Sequence, residues 1–261
     1  MSARALRAVV VVLVAVAVAG CGASGDRASG GAVDGRVTGR VTVFAAASLT
    51  ESFRRIGKDF EAANPGSTVT LNVAGSSALA NQINQGAPAD VFASAAPANM
   101  ATVTAAGNAD GTPTTFARNQ LVIAVPRGNP AGVTGLADLS RSGVKVALCA
   151  SQVPCGAAAR TALDAAGVAL TPVTLEQDVK GALAKVRLGE VDAALVYRTD
   201  ARAASADVTG VEFPESARAV NDYPIVALRD APNPAGAKAF VAYVRSAPAQ
   251  AVLAEAGFQA P

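Results

Sequence analysis

Two segments of the chain share one local pattern, in which a short apolar strand ends at small residues and a helix begins at a serine. In the first segment, residues 41–50, the apolar run stops at alanines and Ser48. In the second, residues 69–79, it stops at Gly75 and Ser76. The first N–H groups of a helix have no partner within the helix, and they attract anions. Two such turns therefore predict a site for an oxyanion that needs no cationic side chain.

The rest of the chain alternates in the same way between strands and helices. After the first turn, Leu49, Phe53, Ile56 and Phe60 follow at spacings of four, three and four, as on one face of a helix. Further strand patterns lie at residues 90–95, 119–125, 145–149, 191–197 and 223–228, and further helical patterns at residues 156–166, 178–188, 235–246 and 248–256. Strands separated by helices predict an α/β fold with parallel sheets.

Composition excludes several classes of function. The chain has 261 residues, of which 51% are hydrophobic, so it is long enough for one or two folded domains. It contains no histidine, which removes the commonest general base and the commonest zinc ligand. The formal net charge is only +2 and no run of Lys or Arg occurs, so a nucleic-acid partner is poorly supported.

The N-terminal segment is typical of a secretion signal. Arg4 and Arg7 precede an apolar stretch at residues 8–19 that is too short to cross a bilayer of roughly 30 Å. The ending at residues 18–21 resembles the lipobox of bacterial lipoproteins, which implies cleavage after residue 20 and lipid attachment to Cys21. Residues 21–39 have no periodicity and are predicted to be a flexible tether. We expect the protein on the outer face of the cell membrane; a chance cysteine after an ordinary signal is the alternative.

Lipidation of Cys21 would leave Cys149 and Cys155 as an even pair. Five residues lie between them, including Pro154, which helps the loop to bend. Because disulfides persist outside the cytoplasm, we expect a bond between them. Two small buried thiols are the alternative.

Several motifs occur in the order found in the periplasmic molybdate-binding proteins, the substrate-binding components of molybdate ABC transporters, and the chain resembles that family over residues 40–260. The motifs are Phe44-Ala45-Ala46-Ala47-Ser48-Leu49-Thr50, Gly75-Ser76-Ser77-Ala78-Leu79-Ala80, Gly86-Ala87-Pro88-Ala89-Asp90-Val91-Phe92, Val153-Pro154-Cys155-Gly156, Asp178-Val179-Lys180-Gly181-Ala182-Leu183 and Leu195-Val196-Tyr197. Their shared order is more specific than any one of them.

The resemblance implies a two-lobed binding-protein fold of type II, in which each lobe is an α/β sandwich and the ligand lies between them. Lobe one is expected at residues 40–118 with 222–261, and lobe two at residues 119–221. The resemblance also implies five oxyanion-binding positions, which are Ser48, Ser76, Cys155, Val179 and Tyr197. The family usually has alanine where this chain has Cys155, but a backbone donor needs no particular side chain.

By this resemblance the ligand is molybdate, with tungstate as a second ligand, bound as the oxyanion without a cofactor or a metal held by side chains. Ligand closes the lobes, and the closed protein, expected to be a monomer, delivers the anion to an ABC permease. A site built only of hydrogen-bond donors selects a fully deprotonated oxyanion. Protonated phosphate carries a donor of its own and would need an acceptor in the site. Asp178 is adjacent but is interpreted as the cap of its own helix. Sulfate fits this chemistry and is the alternative ligand.

Other classes of function fit the sequence less well. Iron-carrying anions are disfavoured because related iron-binding proteins tend to use paired tyrosines, and no adjacent pair occurs here. An enzyme would need Ser48 or Ser76 as a nucleophile activated by a lysine, and no recognisable motif contains one; the candidates are Lys58, Lys145, Lys180, Lys185 and Lys238. The effector-sensing half of a transcription regulator is disfavoured by the lipobox and the lack of a DNA-binding segment. We therefore expect a binding protein and not an enzyme.

Overall fold

The computed structural model describes residues 37–261. The predicted signal peptide at residues 1–20, the lipid-attachment site at Cys21 and most of the predicted tether lie outside the described residues. Within residues 37–261 no helix combines the length and the apolar character needed to span a membrane.

Ten strands and eight α-helices make up the described chain. The strands are β1 (Gly39–Ala46), β2 (Ser67–Ala74), β3 (Val91–Ala93), β4 (Ala109–Asn119), β5 (Leu121–Pro126), β6 (Val146–Cys149), β7 (Thr174–Glu176), β8 (Ala193–Tyr197), β9 (Val208–Val211) and β10 (Asn221–Leu228). The helices are α1 (Thr50–Ala63), α2 (Ser76–Asn84), α3 (Pro97–Ala105), α4 (Pro154–Ala166), α5 (Val179–Arg187), α6 (Arg198–Ala203), α7 (Pro234–Val244) and α8 (Ala247–Ala256). Short 3₁₀ turns occupy Ala47–Leu49, Leu136–Ser140 and Pro214–Arg218.

The strands form two five-stranded sheets. Lobe one contains the sheet with strand order β2-β1-β3-β10-β4, together with α1–α3, α7 and α8. Lobe two contains the sheet with order β7-β6-β8-β5-β9, together with α4–α6. The architecture is α/β, and it is the two-lobed fold expected from the sequence.

The sheets are mixed, which corrects the expectation of parallel sheets. β1 pairs in parallel with β2 and β3, and β6 does so with β7 and β8. In contrast, β10 runs antiparallel to β3 and β4, and β5 runs antiparallel to β8 and β9. The reason is the route of the chain. β5 and β10 each enter a sheet directly from the other lobe, so they begin at the edge where the parallel strands end.

The apolar face predicted for α1 packs in the core of lobe one. Leu49, Phe53, Ile56 and Phe60 are all buried against one face of the sheet, as their spacing predicts. Phe240 of α7 packs on the same face, with its ring centroid 6.0 Å from that of Phe53 and 5.3 Å from that of Phe60. The opposite face is covered by α2 and α3, so this sheet is buried on both sides.

The chain crosses between the lobes at two adjacent points. β4 ends at Asn119 and β10 begins at Asn221, and these two residues are paired in the sheet. The Asn119 side-chain amide donates a hydrogen bond to the Thr199 hydroxyl of α6 at 2.8 Å. The Asn221 amide donates to the Ala95 carbonyl at 2.7 Å. The two crossings therefore lie side by side, anchored to both lobes.

Candidate functional site

A small cavity lies where the two lobes meet, at the carboxyl ends of several parallel strands. The space between its walls, including the open mouth, is about 190 Å³. Typical pockets for organic ligands are about 300–1,000 Å³, so this cavity suits a small ion better than a metabolite. Its walls are formed by Ala46, Ala47, Ser48, Gly75, Ser76, Ala95, Val153, Pro154, Cys155, Asp178, Val179 and Tyr197.

All five positions that the sequence resemblance singled out line this one cavity. Ser48 and Ser76 approach it from lobe one, and Cys155, Val179 and Tyr197 approach it from lobe two. The structure therefore brings together residues that are up to 149 positions apart in the chain. Their contact with a ligand remains a prediction.

The Ser76 hydroxyl is oriented by a neighbour in lobe one. Ser76 is the first residue of α2 and is 1% exposed. Its Oγ accepts a hydrogen bond from the Ala95 N–H at 3.0 Å and makes no capping bond to its own helix. Because Oγ is already the acceptor of that bond, its own proton is free to be donated into the cavity.

The Ser48 hydroxyl has a buried phenol as its partner. Ser48 lies in the 3₁₀ turn before α1, and its Oγ is 2.9 Å from the Tyr223 hydroxyl. Burial raises the pKa of Tyr223, so this phenol keeps its proton. With Tyr223 donating to Ser48, the serine proton can point into the cavity, as it does at Ser76. Sequence reasoning did not assign Tyr223 to the site, and no local signal connects residues 175 positions apart.

In lobe two, the first turns of α4 and α5 face the cavity. Pro154 is the first residue of α4 and has no N–H, so Cys155 supplies the first amide of that helix. Asp178 precedes α5, and its Oδ1 accepts the Gly181 N–H at 2.9 Å, which confirms its interpretation as a helix cap. Val179 is the first residue of α5, so its amide has no hydrogen-bond partner within the helix.

The beginning of α4 is held tightly against the end of β6. The sulfur atoms of Cys149 and Cys155 are at bonding distance, 2.06 Å. A Cβ atom at Gly156 would lie 2.0 Å from the Ala150 carbonyl oxygen, so only glycine allows this approach. These contacts fix the position of the Cys155 amide relative to the sheet.

Tyr197 brings a hydroxyl without a partner to the cavity. It ends β8 and is 1% exposed. Among the described residues its hydroxyl is buried and has no hydrogen-bond partner. Burial raises the pKa of Tyr197 well above its ordinary value, so the group is a permanent donor. An unpartnered buried donor costs about 1–3 kcal/mol, and Tyr197 is one of the residues that line the cavity.

The wall of the cavity contains no cationic side chain. No Lys or Arg is present among the twelve lining residues, and Asp178, the acidic member, is engaged as a cap. The positive ends of α2, α4 and α5, together with the turn before α1, point at this one volume. Each helix end contributes roughly half a positive charge in this way.

A charged cluster joins the lobes behind the cavity. Lys180 of α5 reaches the carboxylate of Glu51 in α1 at 2.8 Å and lies 3.1 Å from the carboxylate of Asp200 in α6. Burial alone lowers the pKa of Lys180, but Asp200 and Glu51 outweigh it and the net pKa is raised. Asp200 is completely buried, and its contact with Lys180 is an ion contact without hydrogen-bond geometry. Burial raises the pKa of Asp200 to about 6, although Lys180 opposes this change.

The two cavity serines have hydrogen-bond partners other than a lysine in the described residues. Ser48 contacts Tyr223, and Ser76 contacts Ala95. Lys180, the lysine adjacent to a cavity residue, directs its ammonium group to two carboxylates.

Comparisons with known proteins identify the family of the chain. The family described as bacterial extracellular solute-binding protein matches residues 41–259. A molybdate-binding protein of Mycobacterium bovis is 45% identical over 249 residues, covering 95% of both chains. The solved structure of a periplasmic molybdate-binding protein from Azotobacter vinelandii superposes with a TM-score of 0.74 at 21% identity, over 85% of this chain and 99% of that one.

The fold is shared with a protein for another oxyanion. The sulfate-binding protein SubI of Mycobacterium tuberculosis matches with a TM-score of 0.71 at 19% identity, over 85% of this chain and 86% of that one. At this level of identity the likeness concerns the fold alone. The family match over nearly the whole described chain and the 45% identity are decisive: the chain belongs to the bacterial extracellular solute-binding proteins, in the group that includes the mycobacterial molybdate-binding proteins.

Proposed function

We propose that this protein captures molybdate outside the cytoplasm and delivers it to an ABC-type permease, with tungstate as a second ligand. The observation that carries the proposal is the cavity itself, whose wall offers hydroxyl and amide donors, an unpartnered phenol at Tyr197 and no cation. The name of the mycobacterial relative gives the ligand. The protein acts by binding and not by catalysis.

Hydrogen bonds to a charged acceptor supply energy on the scale that binding requires. Each such bond contributes about 1.5–3 kcal/mol. Five donors would contribute about 7.5–15 kcal/mol before the ordering cost is subtracted, and micromolar binding corresponds to roughly 8 kcal/mol. An acceptor-only dianion satisfies every donor at once. Protonated phosphate brings a donor of its own and would need an acceptor in the wall; the Oδ1 atom of Asp178 already accepts the Gly181 N–H.

Titration with four anions tests the proposal. The purified protein is titrated with molybdate, tungstate, sulfate and phosphate, and binding is followed by heat and by the shift of the thermal midpoint. We expect molybdate and tungstate to bind with at least a hundred-fold preference over sulfate and phosphate. Sulfate binding of equal strength would favour the alternative, a sulfate-binding protein of the same fold.

Tyr197→Phe is expected to weaken molybdate binding by about tenfold, because the variant lacks the phenolic donor. Calorimetry of the wild type and the variant measures the change. Tyr243→Phe, which alters a partly exposed ring packed on Phe60, is the control and should bind like the wild type. Unchanged affinity in Tyr197→Phe would contradict the role of this hydroxyl.

We further propose that a lipid on Cys21 anchors the protein to the outer face of the membrane, with the predicted tether at residues 21–39, and that the mature protein is a monomer. A diacyl anchor is consistent with stable attachment, since one acyl chain gives only marginal binding. Cys21→Ala should therefore move the protein from the membrane fraction to the soluble extracytoplasmic fraction, as seen by immunoblotting. Retention of the variant in the membrane fraction would refute the anchor. Cys149→Ala, which leaves Cys21 intact, should stay with the membrane.

We also propose that Cys149 and Cys155 form a disulfide bond in the mature protein. It connects the end of β6 to the first turn of α4, and Cys155 lies in the cavity wall. We propose that the disulfide holds the Cys155 amide in the direction of the anion before binding occurs. Such preorganisation lowers the ordering cost of binding.

A further inference from the structure

The two lobes lie very close together at a glycine in the cavity wall. Gly75 follows β2 in lobe one, and Gln177 follows β7 in lobe two. A Cβ atom built on Gly75 would lie 2.3 Å from the Gln177 carbonyl oxygen and 3.5 Å from the Asp178 Cβ. Real Cβ atoms essentially never approach another atom within 3.0 Å. A side chain at position 75 is therefore incompatible with this arrangement of the lobes.

The local backbone does not require glycine at this position. Gly75 has φ −60° and ψ 137°, an extended conformation that any residue adopts. It precedes α2 as the cap residue, where Ser, Thr, Asn or Asp would serve at least as well. The three atoms nearest to the added Cβ all belong to lobe two. What demands glycine is therefore the contact between lobes and not the fold of lobe one.

The contact lies where it controls the size of the cavity. Gly75 is followed by Ser76 in one wall, and Gln177 is followed by Asp178 and Val179 in the other. On another side of the cleft, Lys180 reaches Glu51 across the lobes at 2.8 Å. The distance between the Gly75 and Gln177 backbones thus sets how near the donors of lobe two come to the Ser76 hydroxyl.

We propose that Gly75 is a positioning residue, whose missing side chain lets the lobes close to the distance at which donors from both reach one small anion. The inference rests on the proposed function, since it assumes that the cavity binds an oxyanion. A methyl group needs about 3.4 Å from the Gln177 oxygen for ordinary contact, where 2.3 Å is available. The lobes must then separate by about 1 Å, and a hydrogen bond of about 2.9 Å is broken by that displacement.

Gly75→Ala in the full-length protein, purified in detergent, tests the inference, with Gly135→Ala as the matched control. Gly135 also has an extended backbone, with φ −170°, and an added Cβ there meets no atom within 4 Å. Molybdate affinity is measured by calorimetry, compaction on binding by small-angle X-ray scattering, and ligand-free stability by urea unfolding. We expect Gly75→Ala to bind at least tenfold more weakly and to compact less, with the ligand-free unfolding midpoint unchanged. Gly135→Ala should match the wild type in all three.

The possible failures are distinct. If Gly75→Ala binds molybdate within twofold of the wild type and compacts equally, the positioning role is wrong. If the substitution instead lowers the ligand-free unfolding midpoint or prevents folding, Gly75 belongs to the resting fold and the inference is overturned as well. If the wild type itself gives no heat with molybdate, the proposed function fails, independently of the result for Gly75.

Discussion

Replacing Ser76 by alanine is expected to weaken molybdate binding by about ten- to a hundred-fold, which corresponds to about 1.5–3 kcal/mol. The Ser76 oxygen accepts the Ala95 N–H at 3.0 Å, so its proton is available to the cavity. Alanine removes a hydrogen bond to a charged acceptor, and it leaves the Ala95 N–H without this partner. Isothermal titration of the wild type and the variant measures the change.

Ser77→Ala is the matched control for this prediction. Ser77 is the next residue of the same helix, is partly exposed and does not line the cavity. Its substitution removes the same hydroxyl from the same first turn of α2, so a general loss of helix stability would appear in both variants. An equal loss of affinity in both, or none in Ser76→Ala, would contradict the assignment of Ser76 to the site.

Asp200→Asn is expected to stabilise the protein near neutral pH by up to about 3 kcal/mol, with no gain at pH 4. The folded protein raises the pKa of Asp200 from 3.8 to about 6 because the carboxyl group is completely buried. A tenfold change in the proton-binding constant between the folded and unfolded states corresponds to about 1.36 kcal/mol. The neutral amide avoids the cost of burying a charge.

The sign of the pH dependence follows from proton binding. Between about pH 4 and pH 6 the folded protein keeps a proton on Asp200 that the unfolded chain has lost. The free energy of unfolding contributed by this group therefore falls as pH rises through that window, and the deficit persists above it. The groups around Asp200 are Lys180, which favours the charged carboxylate, and Glu51, Tyr197 and Tyr223.

Urea unfolding of the ligand-free wild type and of Asp200→Asn, from pH 4 to pH 8, measures this dependence. The difference between the two stabilities should be near zero at pH 4 and grow to its full value above pH 6. Asp222→Asn, which changes an exposed carboxylate paired with Arg118, should parallel the wild type. If the free energies of unfolding of Asp200→Asn and the wild type differ by the same amount at every pH, the charge on Asp200 does not destabilise the folded protein.

Local patterns were sufficient for much of the fold. The spacing of Leu49, Phe53, Ile56 and Phe60 predicted the buried face of α1, because helical periodicity records which side of a helix meets the core. They were not sufficient for strand direction or for β4, which contains Gly111 and Pro113 and lacks a clear alternating pattern. Strand direction depends on the side from which the chain enters a sheet, and no residue spacing encodes that.

The sequence by itself determined the α/β class and the two serine turns, because periodicity and turn chemistry act between residues that are close together in the chain. The five positions that meet at the cavity came from the resemblance of the ordered motifs to a known family. Only the tertiary structure shows which distant residues are in contact. Tyr223 contacts Ser48, Asp200 lies beside Lys180, and Gly75 lies against the Gln177 carbonyl. Such contacts join residues about 20 to 175 positions apart, and they arise only when both lobes have packed and met, because burial and distance are properties of the folded chain.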